Sequence, residues 1–531
     1  MAEISRRAAL AVLGVGALAA GAQYAVEAAT SPGGGASAQG PDNPVRAENR
    51  RPGSKDWKIG AGSTVVADDL GRQIKGYASA TSVNLGEAID FHVSTDPARP
   101  YTVSIFRMGD YAGLGARHLA DSPRLPGAKQ SEPVTAPGTG TISCGWDVGW
   151  SLNVPRDWVS GSYLAAFTTD GGHRSFTPFA VRDDARRADF LVVLPFSTYQ
   201  AYNQWPLDGK TGKSLYYGYG LNGADGNLAE LGSQHADANG APIAYGNRAR
   251  KVSFERPYSS VGLPQRADMD YAFLQWAERS GYDVAYATSV DLHEGRVDPA
   301  QYAALVFSGH DEYWSQTMRD TVSAAVGRGT HVAFMGANNV YWHVRFEPDP
   351  RGRGLQPLMV CYKSDPDPEQ DASGPTRLWR TVAAHNARAE QSLIGVQYNG
   401  IPKAEMPLIV SSADHWLWAG TGVREGDAIP RVVGGEADGW DPGSPKPDAV
   451  SHTLLSASHF MAVGGSDWPR LQRTSLYETA GGAMVFAAGT FNWPLALSHH
   501  GYVDARIQRA TANLFNRLRQ RPSGTAAATG A

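Results

Sequence analysis

Side chains that could do chemistry follow a short apolar run near the middle of the chain. The segment GHDEYWS, residues 309–315, places His310, Asp311, Glu312 and Tyr313 in succession. Such groups can transfer a proton or bind a cation. Asp311 alone could merely cap a helix, but a plain turn does not require all four. The segment therefore predicts a functional corner.

A strand, a helix and a second strand are expected to position this corner. Two apolar runs, Ala303 to Phe307 and His331 to Met335, are bounded by glycine and are too short for a globular helix, so they predict buried parallel strands. Between them an apolar residue recurs every four positions, as on the buried face of a helix: Trp314, Met318, Val322 and Val326. In an open α/β sheet, ligands bind outside the carboxyl ends of the strands, which is where the corner falls.

Other segments should bring polar side chains to the same edge. Three more predicted strands are followed by such groups: Thr198, Tyr199, Tyr202 and Asn203; Asp291 and His293; and Thr490, Asn492 and Trp493. Aromatic side chains are also frequent around these segments: Trp205, Tyr216, Tyr217, Trp314 and Trp342. This crowding fits a binding surface as well as an enzyme.

Several kinds of chemistry are absent from the sequence. The second strand runs into Gly336, Ala337 and Asn338, where an amidotransferase-like fold would carry a nucleophile, and no Cys or Ser stands there. The chain has no HExxH, no phosphate-binding glycine loop and no dinucleotide fingerprint. Oxygen and imidazole chemistry remains, and the candidates are His293, His310, Glu312, Tyr313, Tyr199, Tyr341, Glu369 and Glu478.

The composition indicates a folded protein of more than one domain. A chain of 531 residues is too long for one ordinary core. Its 48 basic and 52 acidic residues give a net charge of -4, which argues against nucleic acid as a partner. Only Cys144 and Cys361 are present, so no disulfide framework is predicted, although one bridge between domains stays open.

The N-terminus resembles an export signal. Residues 5–7 are Ser-Arg-Arg, an apolar run from Ala8 to Ala20 follows, and small residues come next. This pattern favours a twin-arginine-type signal over residues 1–29, with an ordinary secretory signal as the alternative. The run is too short to span a bilayer comfortably, so no stable membrane span is expected after signal removal. The predicted location is secreted, periplasmic or in a bacterial cell envelope.

The local composition and hydrophobic patterns along the chain predict two folded domains. Residues 30–55 are expected to be a disordered linker. Residues 56–184 contain short alternating runs typical of an all-β sandwich of immunoglobulin type. Residues 185–521 predict an α/β domain with a mainly parallel sheet, and residues 522–531 a disordered tail.

Five motifs together resemble one known family. GYDVAYATSVDLH, FSGHDEYWS, FMGANNVYW, RLWR and LYETAGGAMVFAAGTFNW, spread over residues 190–515, are similar to the large (beta) subunit of N,N-dimethylformamidase. The resemblance implies a glutamine amidotransferase-like α/β domain behind a β module. It also implies hydrolysis of a small linear amide.

The resemblance further implies a mononuclear ferric ion held by two tyrosines and one glutamate. By motif, the tyrosines match Tyr313 of GHDEYWS and Tyr271 of DMDYAFLQWAE, and the glutamate matches Glu369 ahead of RLWR. Phenolate and carboxylate oxygens form a hard set that suits Fe³⁺. Glu478 of LYETAGG matches a family glutamate near the metal, and would share proton transfer with His310.

The leading hypothesis is a secreted, iron-dependent amide hydrolase, in which Glu478 or His310 moves the proton. One alternative is a non-catalytic relative that binds a small molecule or glycan, which the sequence QDAS after Glu369 favours because the family has aromatic residues there. Another is a cell-surface structural protein built around the β module. A homo-oligomer stays open in each case.

Overall fold

The computed structural model describes residues 42–220, 235–237, 239–348, 358–369, 374–383, 388–463 and 468–520. The predicted signal (1–29), the predicted tail (522–531) and the first part of the predicted linker lie outside these ranges. Within the linker segment, Pro44–Asn49 form a short helix, α1, whose first turn is capped by the Asn43 side chain. In the described ranges, no helix combines the length and the apolar sequence needed to cross a membrane.

The N-terminal part is built from eleven strands that form three sheets. They are β1 (Val65–Val66), β2 (Lys75–Ala78), β3 (Ser82–Asn84), β4 (Ala88–Ser94), β5 (Tyr101–Met108), β6 (Ala116–Asp121), β7 (Val134–Thr135), β8 (Ile142–Ser143), β9 (Val148–Asn153), β10 (Gly161–Thr169) and β11 (His173–Arg182). One sheet has the order β1-β11-β10-β5-β6 with β3 also on β11, another is β2-β4-β9, and β7 pairs with β8. Alternate residues of β4 point into a core that they share with Phe167 and Phe179.

The rest of the described chain contains twenty strands and eight α-helices. The strands are β12 (Phe190–Leu194), β13 (Gly218–Tyr219), β14 (His235–Ala236), β15 (Pro242–Ala244), β16 (Lys251–Ser253), β17 (Val284–Thr288), β18 (Ala304–Phe307), β19 (Tyr313–Ser315), β20 (His331–Phe334), β21 (Trp342–Glu347), β22 (Leu358–Val360), β23 (Gln397–Gly400), β24 (Met406–Ile409), β25 (Ala428–Val433), β26 (Ala437–Gly439), β27 (Ser451–Leu454), β28 (Ser458–Phe460), β29 (Arg470–Gln472), β30 (Ser475–Glu478) and β31 (Met484–Ala487). The helices are α2 (Phe196–Tyr202), α3 (Ala267–Arg279), α4 (Ser289–His293), α5 (Gln316–Gly327), α6 (Trp379–Val382), α7 (Gln391–Ile394), α8 (Asn492–Ser498) and α9 (Ala505–Leu518).

The largest sheet positions the corner that carries the candidate chemistry. Its strand order is β17-β12-β18-β20-β31-β30-β27. The first five strands run parallel, and β30 and β27 run antiparallel to their neighbours. Strands β12, β17, β18, β20 and β31 are buried along their whole length, as expected when both faces of a sheet are covered. Their carboxyl ends lie at one edge, and GHDEYWS follows β18 there.

The predicted fold class, an α/β fold with a mainly parallel, amidotransferase-like domain behind an immunoglobulin-like sandwich, is wrong for this chain. In the described residues the strands form nine sheets, seven of which have four strands or fewer. Between β20 and β31 the chain does not continue with strand–helix–strand repeats. It makes ten short strands, mostly in antiparallel pairs, and two helices of four residues. This stretch is rich in Gly and Pro, which interrupt longer elements and explain why these strands and helices are short. Because most of the short elements are strands, the fold is β-rich.

A buried ion pair joins the N-terminal strands to α3. Arg107 on β5 donates from Nη1 and Nη2 to the two carboxylate oxygens of Glu278, each at 2.8 Å. Both side chains are 0% exposed. Tyr286 of β17 donates to the same carboxylate at 2.8 Å. The N-terminal strands β1–β11 and the large sheet therefore share a buried polar junction. Elsewhere, Cys144 and Cys361 are buried and form no disulfide.

His331, the first residue of β20, ties β31 and the end of α9 to the sheet. Its Nδ1 accepts a hydrogen bond from the N–H of Met484 at 2.9 Å, and its Nε2 lies 3.1 Å from the carbonyl oxygen of Gln520. The N–H can only donate and the carbonyl can only accept, so the imidazole is neutral with its proton on Nε2. Burial lowers the pKa of His331, and Arg517 acts in the same direction, while the Gln520 carbonyl and Glu478 oppose the shift.

We expect His331 to make the free energy of unfolding fall in acid. Because its pKa is lower in the folded chain than the usual value of about 6.5, its contribution is fully present above that pH and is lost as the pH falls towards the folded pKa, by up to about 1.4 kcal/mol per pH unit. His331→Asn keeps an acceptor for the Met484 N–H but does not titrate. In urea unfolding, the stability difference between wild type and variant should shrink below about pH 6.5; a difference independent of pH would contradict the assignment.

Candidate functional site

The corner after β18 depends on glycines that let chain segments pass closely. A β-carbon on Gly309 would lie 2.7 Å from Asp270 Oδ2, and one on Gly336 would lie 2.5 Å from the Gly309 carbonyl oxygen. No other residue fits at such distances. The Tyr341 N–H donates to the carbonyl oxygen of Glu312 at 2.9 Å. The loop after β20 is thereby fastened to the corner.

Glu312 is the centre of a buried polar cluster and is 0% exposed. Tyr202 Oη donates to Glu312 Oε2 at 2.8 Å. Tyr216 Oη lies 2.9 Å from Oε1 and 3.0 Å from Oε2. Asn338 Nδ2 donates to Oε1 at 3.0 Å. Donors converging on both oxygens favour the ionised carboxylate.

His310 lies between two carboxylates. Its Nε2 is 3.6 Å from Glu312 Oε2 and 3.8 Å from Glu436 Oε2, and Asn338 Nδ2 is 3.3 Å away. The Phe491 ring packs against the imidazole with centroids 4.6 Å apart. Both His310 and Glu436 are buried. The imidazole can therefore pass a proton between the two acids inside a largely enclosed site.

An aromatic wall and one cation surround Tyr216. Trp342 Nε1 donates to Tyr216 Oη at 3.2 Å, and the Tyr202 and Tyr216 rings stack at 4.6 Å. Lys363 Nζ lies 3.2 Å from the centroid of the Tyr216 ring and 4.7 Å from that of Trp342. A buried ammonium over these rings is stabilised by cation–π attraction. Its positive charge also offsets the negative charge of Glu312 nearby.

Helix α2 brings Tyr202 to the corner. Ser197 Oγ donates to the carbonyl oxygen of Tyr313 at 2.8 Å, and Thr198 Oγ1 accepts from the N–H of Glu312 at 2.9 Å. Tyr202 stands four residues after Thr198 and so lies on the same helix face. Side chains from one face of α2 therefore hold both the backbone and the carboxylate of the corner.

Other carboxyl groups are buried around the cluster. Burial raises the pKa of Asp311 well above its usual range. Burial also raises the pKa of Asp270 and that of Asp438 to about 7, against the lowering effect of their hydrogen bonds. Asp438 Oδ1 accepts from the N–H of Asn338 at 2.8 Å, where Asn338 adopts a φ of 54°. Through this bond Asp438 holds the loop after β20 in place.

Besides the candidate Glu312, two residues to which the sequence assigned a role lie in this cluster. His310 is the first. Tyr313 is 0% exposed, and its ring centroid lies 6.4 Å from that of Tyr202 and 6.3 Å from that of Tyr216. The Tyr313 hydroxyl has no hydrogen-bond partner among the described residues. Burial raises the pKa of Tyr313 well above its ordinary value.

The other two predicted ligands have neighbours other than Tyr313 among the described residues. Tyr271 packs against the core from α3, and its ionisable neighbours are Asp270, Tyr199 and Tyr258. Burial and the adjacent Asp270 raise its pKa. The Glu369 side chain is 69% exposed and lies 4.0 Å from an Arg345 nitrogen. It stands at the surface, whereas Glu312 is fully enclosed.

Glu478 is placed at the other edge of the sheet. It pairs with Met484, the first residue of β31, and Met484 is bonded to His331, the first residue of β20. Met484 and His331 thus mark the amino ends of two parallel strands, β31 and β20. The structure therefore separates Glu478 from His310, which follows the carboxyl end of β18.

Several residues that form the cluster had been partly indicated by the sequence. Glu312 was a candidate, Tyr202 was placed at the correct edge, and Tyr216 belonged to the aromatic group, but neither tyrosine was selected as a ligand. Glu436 and Lys363 carried no signal. They come from irregular connections next to β26 and β22, where periodicity gives no orientation.

The cluster fits the donor set that the family resemblance implies. Two oxygens that bind the same ion, each at about 2 Å and with a right angle between the two bonds, lie about 2.8 Å apart. Tyr202 Oη and Tyr216 Oη lie 2.8 and 2.9 Å from their nearest Glu312 oxygens. Two phenol oxygens and a carboxylate are a hard set suited to ferric iron. The residues that fit this arrangement are Tyr202, Tyr216 and Glu312, a different set from the Tyr271, Tyr313 and Glu369 that the resemblance implies.

A buried carboxylate held by two phenols beside an imidazole is the kind of site with which enzymes bind an ion or move a proton. The chain belongs to the family described as N,N-dimethylformamidase beta subunit-like, C-terminal, which matches residues 102–504.

The chain is also similar to two curated proteins and, weakly, to solved structures. It is 23% identical over 430 residues to the N,N-dimethylformamidase beta subunit of Paracoccus aminophilus, covering 71% of this chain and 54% of that protein. It is 22% identical over 428 residues to that of an Alcaligenes species, with the same coverage. The chain thus spans about half the length of these relatives. A superoxide reductase (neelaredoxin) of Ignicoccus hospitalis aligns with a TM-score of 0.13 and 9% identity, over 24% of this chain and 87% of that one, which is too slight a likeness to carry an argument.

Proposed function

We propose that this chain hydrolyses the C–N bond of a small amide at a ferric ion held by Tyr202, Tyr216 and Glu312. The observation that carries the proposal is the convergence of both phenol oxygens on one buried carboxylate, at 2.8 to 3.0 Å. The relatives are named N,N-dimethylformamidase beta subunits, which supports a small amide as the substrate class.

A ferric ion held by these three residues would supply Lewis-acid chemistry, which would polarise the amide carbonyl or lower the pKa of a bound water. His310 supplies the proton transfer. Its Nε2 takes a proton from a water near Glu312 and delivers it to the departing nitrogen, with Glu436 at 3.8 Å as the second acid. Glu478 takes no part, because it stands at the opposite edge of the sheet.

The remaining side chains prepare the site. Asn338 Nδ2 contacts both Glu312 and His310 and so fixes their relative orientation. Phe491 covers the imidazole, and exclusion of water strengthens the electrostatic interactions inside. Lys363, over the Tyr216 ring, keeps positive charge beside the anionic ligands.

The proposal extends to assembly and location. Because the relatives are named as subunits, we propose that the chain works in an oligomer. The export signal with Arg6 and Arg7 lies outside the described residues, and secretion by the twin-arginine route stays a prediction.

The test is made on the purified full chain. We expect bound iron, a tyrosinate-to-iron charge-transfer band, and amine release from N-substituted formamides. Tyr216→Phe should weaken and shift the band, because one phenol ligand is lost. Tyr217→Phe is the matched control, since Tyr217 adjoins Tyr216 in sequence and its ring packs against the Tyr216 ring, but it is not a proposed ligand.

The outcomes separate hydrolysis from binding alone. A coloured, iron-bearing protein that binds formamides without releasing amine would favour the non-catalytic relative. A colourless protein without iron after expression in iron-replete cells would contradict the proposed site.

A further inference from the structure

We infer that Asp270 is a positioning residue that sets the separation between Tyr202 and Glu312. The inference rests on the proposed function, because that function names these two residues as ligands. Asp270 lies in the first turn of α3 and is 2% exposed. Its Oδ1 accepts a hydrogen bond from Ser308 Oγ, and its Oδ2 accepts one from Tyr199 Oη at 2.7 Å.

The two partners of Asp270 belong to the segments that carry the ligands. Ser308 directly follows β18 and opens the corner that reaches Glu312 four residues later. Tyr199 stands in α2, three residues before Tyr202, and therefore close to the same helix face. One carboxylate thus links the corner to the helix. A shift of either partner would change the distance between Tyr202 Oη and Glu312 Oε2, which is 2.8 Å.

The link has little room to relax. Ser308 is 0% exposed and Tyr199 is 6% exposed, so water has little access to replace a lost bond. Gly309 passes so close that a β-carbon there would lie 2.7 Å from Asp270 Oδ2. Buried hydrogen bonds between a carboxylate and hydroxyl groups are short and directional. Asp270 therefore acts as a spacer of fixed length between two chain segments.

This role explains the motif DMDYAFLQWAE differently from the sequence prediction, which took Tyr271 as a ligand. Asp270, the preceding residue, is the one that contacts the segments of the site. Ser197 and Thr198 also tie α2 to the corner, but through the backbone of residues 312 and 313. Asp270 adds a link through side chains, at the start of the corner.

Three variants remove the link at different points: Asp270→Ala removes both bonds, and Ser308→Ala and Tyr199→Phe remove one each. In metal-free crystals we expect the Tyr202–Glu312 separation to exceed 3.5 Å in Asp270→Ala and to lengthen in the other two. In the iron form we expect a shifted charge-transfer band and an iron affinity lower by roughly 10-fold to 100-fold for Asp270→Ala. Asp270→Asn, which keeps an acceptor and offers a donor to Tyr199, should recover most of both.

Glu278→Gln is the matched control. Glu278 is a buried acid in the same helix, but its hydrogen-bond partners are Arg107, Tyr286 and Asn49. If general loosening of α3 were the cause, this variant would shift the band as well. An unchanged separation in both Ser308→Ala and Tyr199→Phe would overturn the inference, even if Asp270→Ala fails to fold. A wild type without iron, combined with a lengthened separation in these variants, would remove the proposed function and leave the positioning role standing.

Discussion

Replacing Glu312 with glutamine should leave the purified protein without iron and lower amide hydrolysis more than about a hundredfold, since loss of a residue that merely supports a ligand already costs about 10-fold to 100-fold in metal affinity or activity. Glutamine keeps the size of the side chain but not its charge. The two phenols, which lie 2.8 to 3.0 Å from the carboxylate, would then lack the third anionic donor. Elemental analysis and amine release measure the two effects.

Two control variants decide between the ligand sets. Glu369→Gln should keep full iron content, because the Glu369 side chain is 69% exposed. Tyr271→Phe should also keep it, since Tyr271 packs against the core from α3. The opposite pattern, with iron lost from these two variants and kept in Glu312→Gln, would restore the ligands inferred from the sequence motifs.

Local elements of the fold could be predicted from the sequence, whereas their assembly could not. The apolar runs near 304–307 and 331–334 are adjacent parallel strands, and the helix expected between them spans Gln316–Gly327. The hydrophobic pattern that identifies such elements depends on residues that are close together in the sequence. The ten short strands between β20 and β31 have three to six residues each, so their pairing depends on distant partners and leaves little periodic signal.

The sequence indicated where the buried cluster lies, whereas the proposed ligands depend on contacts between distant segments. GHDEYWS marked the corner that holds His310 and Glu312, because polar groups at a strand end have few structural uses. The choice between Glu312 and Tyr313 depends on which side each neighbouring residue faces, and the choice of tyrosines depends on how α2 and the segment near Tyr216 pack on the corner. Those are long-range contacts. A motif match at Tyr271 could not supply them.

The largest loss of stability is expected from a substitution at the junction between the N-terminal strands β1–β11 and α3. Arg107→Met should lower the free energy of unfolding by about 3–5 kcal/mol, because it would leave the Glu278 carboxylate buried without its cation. Both side chains are 0% exposed, and two bonds of 2.8 Å join them. Although burial opposes its charge, Glu278 holds the pKa of Arg107 well above the ordinary value. Urea unfolding of the full chain measures the change.

The double variant Arg107→Met with Glu278→Leu distinguishes the loss of the ion pair itself from the cost of leaving the Glu278 carboxylate buried without its cation. Replacing both partners of a buried ion pair with apolar side chains is often neutral or stabilising, so it should recover most of the loss. Arg50→Met, at the exposed pair with Asp42 whose side chains are 64% and 63% exposed, should leave the unfolding midpoint unchanged. If the double variant were as unstable as Arg107→Met alone, the loss would come from packing of the Arg107 stem. If the double variant regains the lost stability, the junction holds α3 through charge pairing. The N-terminal strands β1–β11 should then unfold together with the sheet that carries the site.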